Sequence, residues 1–387
     1  MPDPRTPRLA VAAMFLLAGG LFGVWASRVP AFVARFDLSA SQVGILLLCV
    51  GLGSILSFPL AGRLSDRIGA SALARRAAAL YALSLPIVAL APSAWSLGPC
   101  LALFGAALGS LDVAMNAWGA EVERNQGRPM MSSFHAMFSL GTGLGAGSGY
   151  LAVRMGWDVT PHFVVAAGLL GALSLAASRV PWTSSLSTTG GTAFAWPKGS
   201  LVLVGLVAFC ASVGEGAVAD WSAIFLHDVI KATEAQAALG YAAFSAAMVT
   251  MRLAGDHAVR GLGPVTAARL SGLIAALGIM IVLMGPNLPL VVLGFVLMGL
   301  GYAVVAPLTF SRAAADPVMP AGQAIASVAT LNYGGMLAGP PLIGFVAEGA
   351  SLSGAFALLA VMSLMITALA RSLRGKGLQS PSASNDM

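Results

Sequence analysis

Apolar runs long enough to cross hydrocarbon recur from one end of this chain to the other. A spanning helix needs roughly 20 apolar residues. Runs of that length lie at 9–34, 41–61, 73–92, 96–121, 130–153, 160–180, 199–227, 235–254, 265–285, 289–312, 323–346 and 352–371. Each is bounded by charge, Pro or Gly rather than by a long polar stretch. In a bilayer core every backbone amide must be paired within the protein, so such runs are helices. Twelve of them use about 240 of the 387 residues, which leaves short loops and no second soluble domain. Composition points the same way. Only 9% of residues are charged and 58% are apolar, whereas a soluble domain carries roughly 25% charge. Three cysteines, single in apolar runs, exclude a disulfide scaffold and a cysteine metal cluster. The fold class is therefore an all-α membrane protein. The first run exceeds the roughly 7–15 residues of a signal-peptide core and is read as retained.

Basic residues orient the helices. If both termini are cytoplasmic, all of the 21 basic residues except Arg28, Arg35, Arg154 and Lys231 fall on the cytoplasmic side. This bias sets orientation in multi-pass proteins and supports an even number of spans. The basic balance thus reports topology and is no sign of nucleic-acid binding. A bacterial inner membrane is the expected location. The interval Pro181–Lys198 is rich in Ser, Thr and Gly and reads as a linker. It divides the chain into an expected N-terminal bundle at 1–180, a cytoplasmic linker at 181–198 and a C-terminal bundle with a short tail at 199–387.

The two sides of that linker repeat one another. Ser39-Ala40-Ser41-Gln42 opens span 2 and Thr233-Glu234-Ala235-Gln236 opens span 8, both as capping boxes. Gly62-Arg63-Leu64-Ser65-Asp66-Arg67-Ile68-Gly69 follows span 2, and the stretch Arg252–Gly261, with Asp256 inside it, follows span 8. Gly141, Gly145 and Gly149 in span 5 are matched by Gly335, Gly339 and Gly344 in span 11. Parallel repeats of six helices are one known construction of a secondary transporter, with the solute held near the membrane midplane.

These features resemble the major facilitator superfamily over essentially the whole chain. Its most specific sign is the loop pattern G-x-x-x-D-R-x-G, met by Gly62, Asp66, Arg67 and Gly69. Within the superfamily, Asp112-Val113-Ala114-Met115-Asn116 in span 4 and Ser133–Gly141 in span 5 are similar to the fucose-permease branch and its bacterial inner-membrane relatives. The acidic residue that fucose permeases carry in span 1 is absent from Trp25-Ala26-Ser27-Arg28-Val29-Pro30. The resemblance implies two pseudo-symmetric six-helix bundles, alternating access, and a gating role for the Gly62–Gly69 loop.

Ionisable residues inside spans are functional candidates, because each costs about 2.5–3.5 kcal/mol on insertion scales. Asp112, Glu215 and His135 are the expected proton-coupling groups. Asp112 and Asn116 share one helix face. Glu215 sits in Gly214-Glu215-Gly216, where the glycines favour a locally open helix. Trp25, Asn116, Asn332 and Tyr333 offer hydrogen-bonding groups and flat rings of the kind that hold sugars and other neutral organics. Arg28 and Asp220 lie at comparable depth and are expected to close an outer gate as an ion pair. Asp66 is expected to accept hydrogen bonds from a facing helix N-terminus or to pair with a base such as Arg124, holding the inner side shut.

Other signals are discounted. The alternate glycines at Gly141–Gly147 lie in an apolar span without a preceding strand, so they mark close helix packing and not a nucleotide loop. Gly335-x-x-x-Gly339-Pro340-Pro341 resembles a signature of drug/proton antiporters but stands in span 11 rather than span 5. No Walker motif, H-E-x-x-H or paired cysteine motif occurs, so no ATP drive, cofactor, metal or enzyme activity is expected. The expected partners are a small solute, protons and lipid. The reading that results is a carrier of a small polar organic solute, sugars included, coupled to protons by symport. Proton-driven efflux of amphipathic compounds, and a polytopic sensor or scaffold without transport, are the alternatives.

Overall fold

The computed structural model describes residues 5–186 and 196–374. Positions 187–195 of the expected linker and the tail after Arg374 lie outside the described residues. The first half comprises α1 (Arg5–Phe36), α2 (Ala40–Ile68), α3 (Ala70–Ala89), α4 (Ala94–Gln126), α5 (Met131–Arg154) and α6 (Val159–Ala177). The second comprises α7 (Ser200–Asp228), α8 (Glu234–Leu262), α9 (Pro264–Met284), α10 (Leu288–Tyr302), α11 (Val305–Ala314), α12 (Ala321–Gly349) and α13 (Leu352–Leu369). No strand occurs among the described residues. Among the described residues, nine helices, with α10 and α11 taken together, are apolar and long enough to cross a membrane.

The tenth span departs from the expected single helix at 289–312. It breaks at Ala303–Val304 into α10 and α11. Pro307 supplies the reason. Proline has no N–H, so the carbonyl four residues earlier, that of Ala303, loses its helical partner. Arg252 Nε takes that carbonyl instead, at 3.3 Å.

Both capping boxes form. Ser39 accepts from the Gln42 amide while the Gln42 side chain accepts from the Ser39 amide, and Thr233 and Gln236 do the same. Each half then packs by one plan. α1 lies mainly on α5 as α7 lies on α12; α2 lies on α4 as α8 lies on α10; α3 meets α4 and α6 as α9 meets α10 and α13. Glycine lets the first of these pairs come close. A Cβ on Gly145 would overlap the Gly20 carbonyl, and one on Gly335 would reach the Phe209 carbonyl at 2.6 Å. In a membrane, where apolar surface gains little by leaving lipid, such backbone approach is a main source of helix association.

Successive helices alternate in direction, with α10 and α11 forming one crossing. The start of α1, the end of α13 and the α2–α3, α4–α5, α8–α9 and α11–α12 turns therefore share one face, hereafter the terminal face. On that side α2 meets α12, α5 meets α8, and α11 meets α4 and α5 across the two halves.

Candidate functional site

The halves are joined at the terminal face by two carboxylates that cap helices of the opposite half. Asp66, near the end of α2, accepts from the amides of Gly322 at 2.8 Å and Gln323 at 3.2 Å, in the first turn of α12. Asp256, near the end of α8, accepts from the amides of Ser132 at 3.0 Å and Ser133 at 3.1 Å, in the first turn of α5, and from the Ser133 hydroxyl. Both carboxylates are buried. The first N–H groups of a helix have no partner within it and carry the positive end of its dipole, so an anion there satisfies both. Glu123 completes the α5 end by accepting from the amides of Met130 at 2.7 Å and Met131 at 3.0 Å. Arg124 is not the partner of Asp66. It reaches across to the Ala314 carbonyl at 2.7 Å.

The remaining residues of the Gly62–Gly69 stretch divide by role. Gly62 is helical and faces the α12 backbone at Gly322. Gly69 turns the chain with φ 89°, a conformation that suits glycine. Arg67 is exposed and makes no described hydrogen bond or ion pair.

Above this seal lies a polar layer contributed by both halves. In the first half, Asn116 Nδ2 donates to the Asp112 carbonyl at 2.8 Å and to Asp112 Oδ1 at 3.2 Å, and Asn116 Oδ1 pairs with His135 Nε2 at 3.1 Å. Asp112 Oδ2 is buried without a partner. The His135 ring is clasped by Phe15 and, from the other half, by Phe310. In the second half, Glu215 Oε2 meets Arg252 Nη2 at 3.5 Å. Arg252 Nη1 crosses to the Ser139 hydroxyl of α5 at 2.7 Å. Asn332 Oδ1 accepts from the Ser212 hydroxyl at 2.6 Å. Tyr333 sets its ring edge-on to Phe58 of α2, 5.0 Å between centroids.

Several expectations need correcting. α7 runs unbroken through Gly214-Glu215-Gly216; the glycines make room, Gly214 for the Tyr302 ring and Gly216 for the α12 backbone. Trp25 is buried among Phe32 and Phe104 inside the first half, where it packs. The Arg28–Asp220 pairing expected of an outer gate is not made in this state, which is closed at the terminal face. Arg28 donates to the Trp157 carbonyl at 2.8 Å, with Nε and Nη1 unpartnered, and Asp220 is exposed. Among the described residues Glu215–Arg252 and Arg312–Asp316 are ion pairs, and His227 Nδ1 lies 2.7 Å from Asp228 Oδ1. Sequence reasoning missed Arg252, Asp256, Glu123, Ser139 and Ser212. Asp256 was within reach, because it holds the place of Asp66 in the repeat. Arg252 counts in the sequence only as one more topological charge.

Two helical bundles sealed at one face, with a buried polar layer between them, define a transmembrane carrier. Residues 10–321 match the sequence model of the Major Facilitator Superfamily, and the chain belongs to that family. It is 48% identical over 371 residues to the uncharacterised transporter y4wD of Sinorhizobium fredii, covering 95% of this chain and 98% of that one. It is 38% identical over 359 residues to an uncharacterised MFS-type transporter of Yersinia pestis, covering 93% and 94%. Among solved structures, the fucose:proton symporter FucP of E. coli superposes with a TM-score of 0.75 at 15% identity, over 95% of this chain and 98% of that one. At that identity the likeness speaks for the fold. The chain is a multi-pass transporter of this family and not an enzyme.

Proposed function

We propose that the chain is a secondary carrier of a small polar organic solute, with sugars among the cargoes, driven by proton symport through alternating access. The observation that carries this reading is Asp112. It is a carboxyl in the middle of α4, 7% exposed, with one oxygen held by Asn116 and the other unpartnered, and no described cation pairs with it. A bare charge in such a place is costly, and binding a proton relieves that cost. His135, one hydrogen-bonding residue away, and Glu215 in the other half complete the proton-coupling set. Asn116, Asn332 and Tyr333 are the groups that would hold the solute. The likeness to a fucose:proton symporter supports both the cargo class and the coupling by analogy.

In this reading the segments 1–180 and 199–387 rock as two bodies joined by 181–198. The terminal face is read as cytoplasmic, which the bias of basic residues supports, and the membrane as a bacterial inner membrane. The structure is then closed toward the cytoplasm by Asp66 and Asp256. In the opposite state Arg28 and Asp220 approach and close the far face.

Purified protein in proteoliposomes, given a panel of sugars under an imposed pH gradient, tests the reading. Uphill uptake is expected, and Asp112→Asn is expected to abolish it while leaving solute counterflow intact. Undiminished uphill uptake in Asp112→Asn would remove Asp112 from the coupling. For the far gate, cysteines replacing Arg28 and Asp220 should cross-link in a solute-dependent manner; if they never do, the two residues are not a gate.

A further inference from the structure

Arg252 is the charged group best placed to recognise a cargo, and its present bonding leaves it open to replacement. It lies ten residues, about 15 Å, inside the end of α8. A guanidinium presents a planar fork that suits the two oxygens of one carboxylate. Here the fork is divided among three partners: the Ala303 carbonyl freed by the α10–α11 break, the Ser139 hydroxyl of the other half, and a single Glu215 oxygen at 3.5 Å. The last is the loosest of the three. The pair is also partly accessible, with side-chain exposures of 11% for Arg252 and 18% for Glu215. Glu215 therefore occupies the cation without saturating it.

From this geometry we propose that the cargo carries a carboxylate, and that this group displaces Glu215 to take the Arg252 fork. The proposal rests on the carrier reading above and adds the cargo's charge. It also links binding to movement. Ser139 is on α5, so a carboxylate that draws Arg252 away from Ser139 removes a contact between the halves about two turns along α5 from the Asp256 cap. Glu215 leaves the guanidinium as it takes up a proton, so the cleft gains one proton for each anion bound. The titratable groups nearby are His135 on α5, Tyr302 on α10 and, beside Tyr302, Cys210 on α7. An amine-bearing cargo would go instead to Glu215 or Asp112, and that is the rival the experiment must expose.

The probes are matched sets: glucuronate, glucose and glucosamine, then lactate and succinate beside lactamide and succinamide. Binding is read as ligand-induced thermal stabilisation of the purified protein, and transport as counterflow in proteoliposomes. At least one acid should act about tenfold or more better than its neutral or amine partner. Arg252→Gln should erase that preference, and Arg252→Lys, which keeps the charge without the fork, should retain part of it. Glu215→Gln should raise the acid's affinity several-fold, a gain that misfolding could not mimic. The proposal is overturned if no acid outperforms its partner, if glucosamine does better than glucuronate, or if Glu215→Gln weakens the acid. Uphill uptake of a neutral member alone would overturn it while leaving the proton-coupled carrier standing; absence of any proton-driven uptake would bring down the carrier reading as well.

Discussion

The ends of α2 and α8 are two copies of one device, and they differ at a single informative place. Each ends with an aspartate that caps a helix of the opposite half, Asp66 on α12 and Asp256 on α5. Four residues before Asp66 stands Gly62, which brings α2 against the α12 backbone. Four residues before Asp256 stands Arg252, which reaches Glu215 and Ser139. Both copies make a close contact, the first at Gly62 and the second at Gly255 against Ser132, and only the second adds a charged contact, through Arg252. The duplication thus shows which part of the device is structural, the capping carboxylate, and which part was free to diverge.

Removing both caps should have the largest effect. A hydrogen bond to a charged group contributes roughly 1.5–3 kcal/mol, and well-separated sites add approximately. The Asp66→Asn, Asp256→Asn double variant is therefore expected to lose about 3.5 kcal/mol of terminal-face closure, roughly three-hundredfold in the closed-to-open ratio. Spin-label distances across the α2–α12 and α5–α8 contacts would report it. An unchanged distance distribution would mean that apolar packing alone holds the face shut.

The single variants should rank. Asp256 takes two amides and a hydroxyl, whereas Asp66 takes two amides. Asp256→Asn should cost about 2 kcal/mol and Asp66→Asn about 1.5 kcal/mol, the difference being one charge-assisted hydrogen bond softened by the Asn that remains. The reverse order would show that Gly62 and the α2–α12 contact depend on Asp66 for their register.

What the sequence revealed of this arrangement follows from the range of the forces involved. Helix number, capping boxes and the glycine seams are set by local periodicity and backbone geometry, so Ser39, Thr233, Gly145 and Gly335 could be read without a partner in view. Asp66 was legible because its pattern is contiguous. Trp25 was not, since an indole in a span suits a binding wall and a packed core equally, and only the positions of Phe32 and Phe104 decide between them. The break in the tenth span needed both Pro307 and a donor from another helix, and Arg252 is 51 residues from the carbonyl it reaches. The far gate depends on which state the halves adopt, a property of packing between bundles that no local run encodes.

The smallest effect tests the comparison most finely. Ser133→Ala deletes only the hydroxyl that gives Asp256 its third hydrogen bond and leaves both amides and the charge in place. The loss should be about 0.5–1.5 kcal/mol, roughly twofold to twelvefold in closure. Combined with Asp256→Asn it should add much less, because the two changes act on one network. Combined with Asp66→Asn it should add in full, since that cap serves a different helix. Full additivity with Asp256→Asn would instead show that Ser133 acts apart from the cap, through the α5 backbone, and would leave the two devices equal in bonding and different only at Gly62 and Arg252.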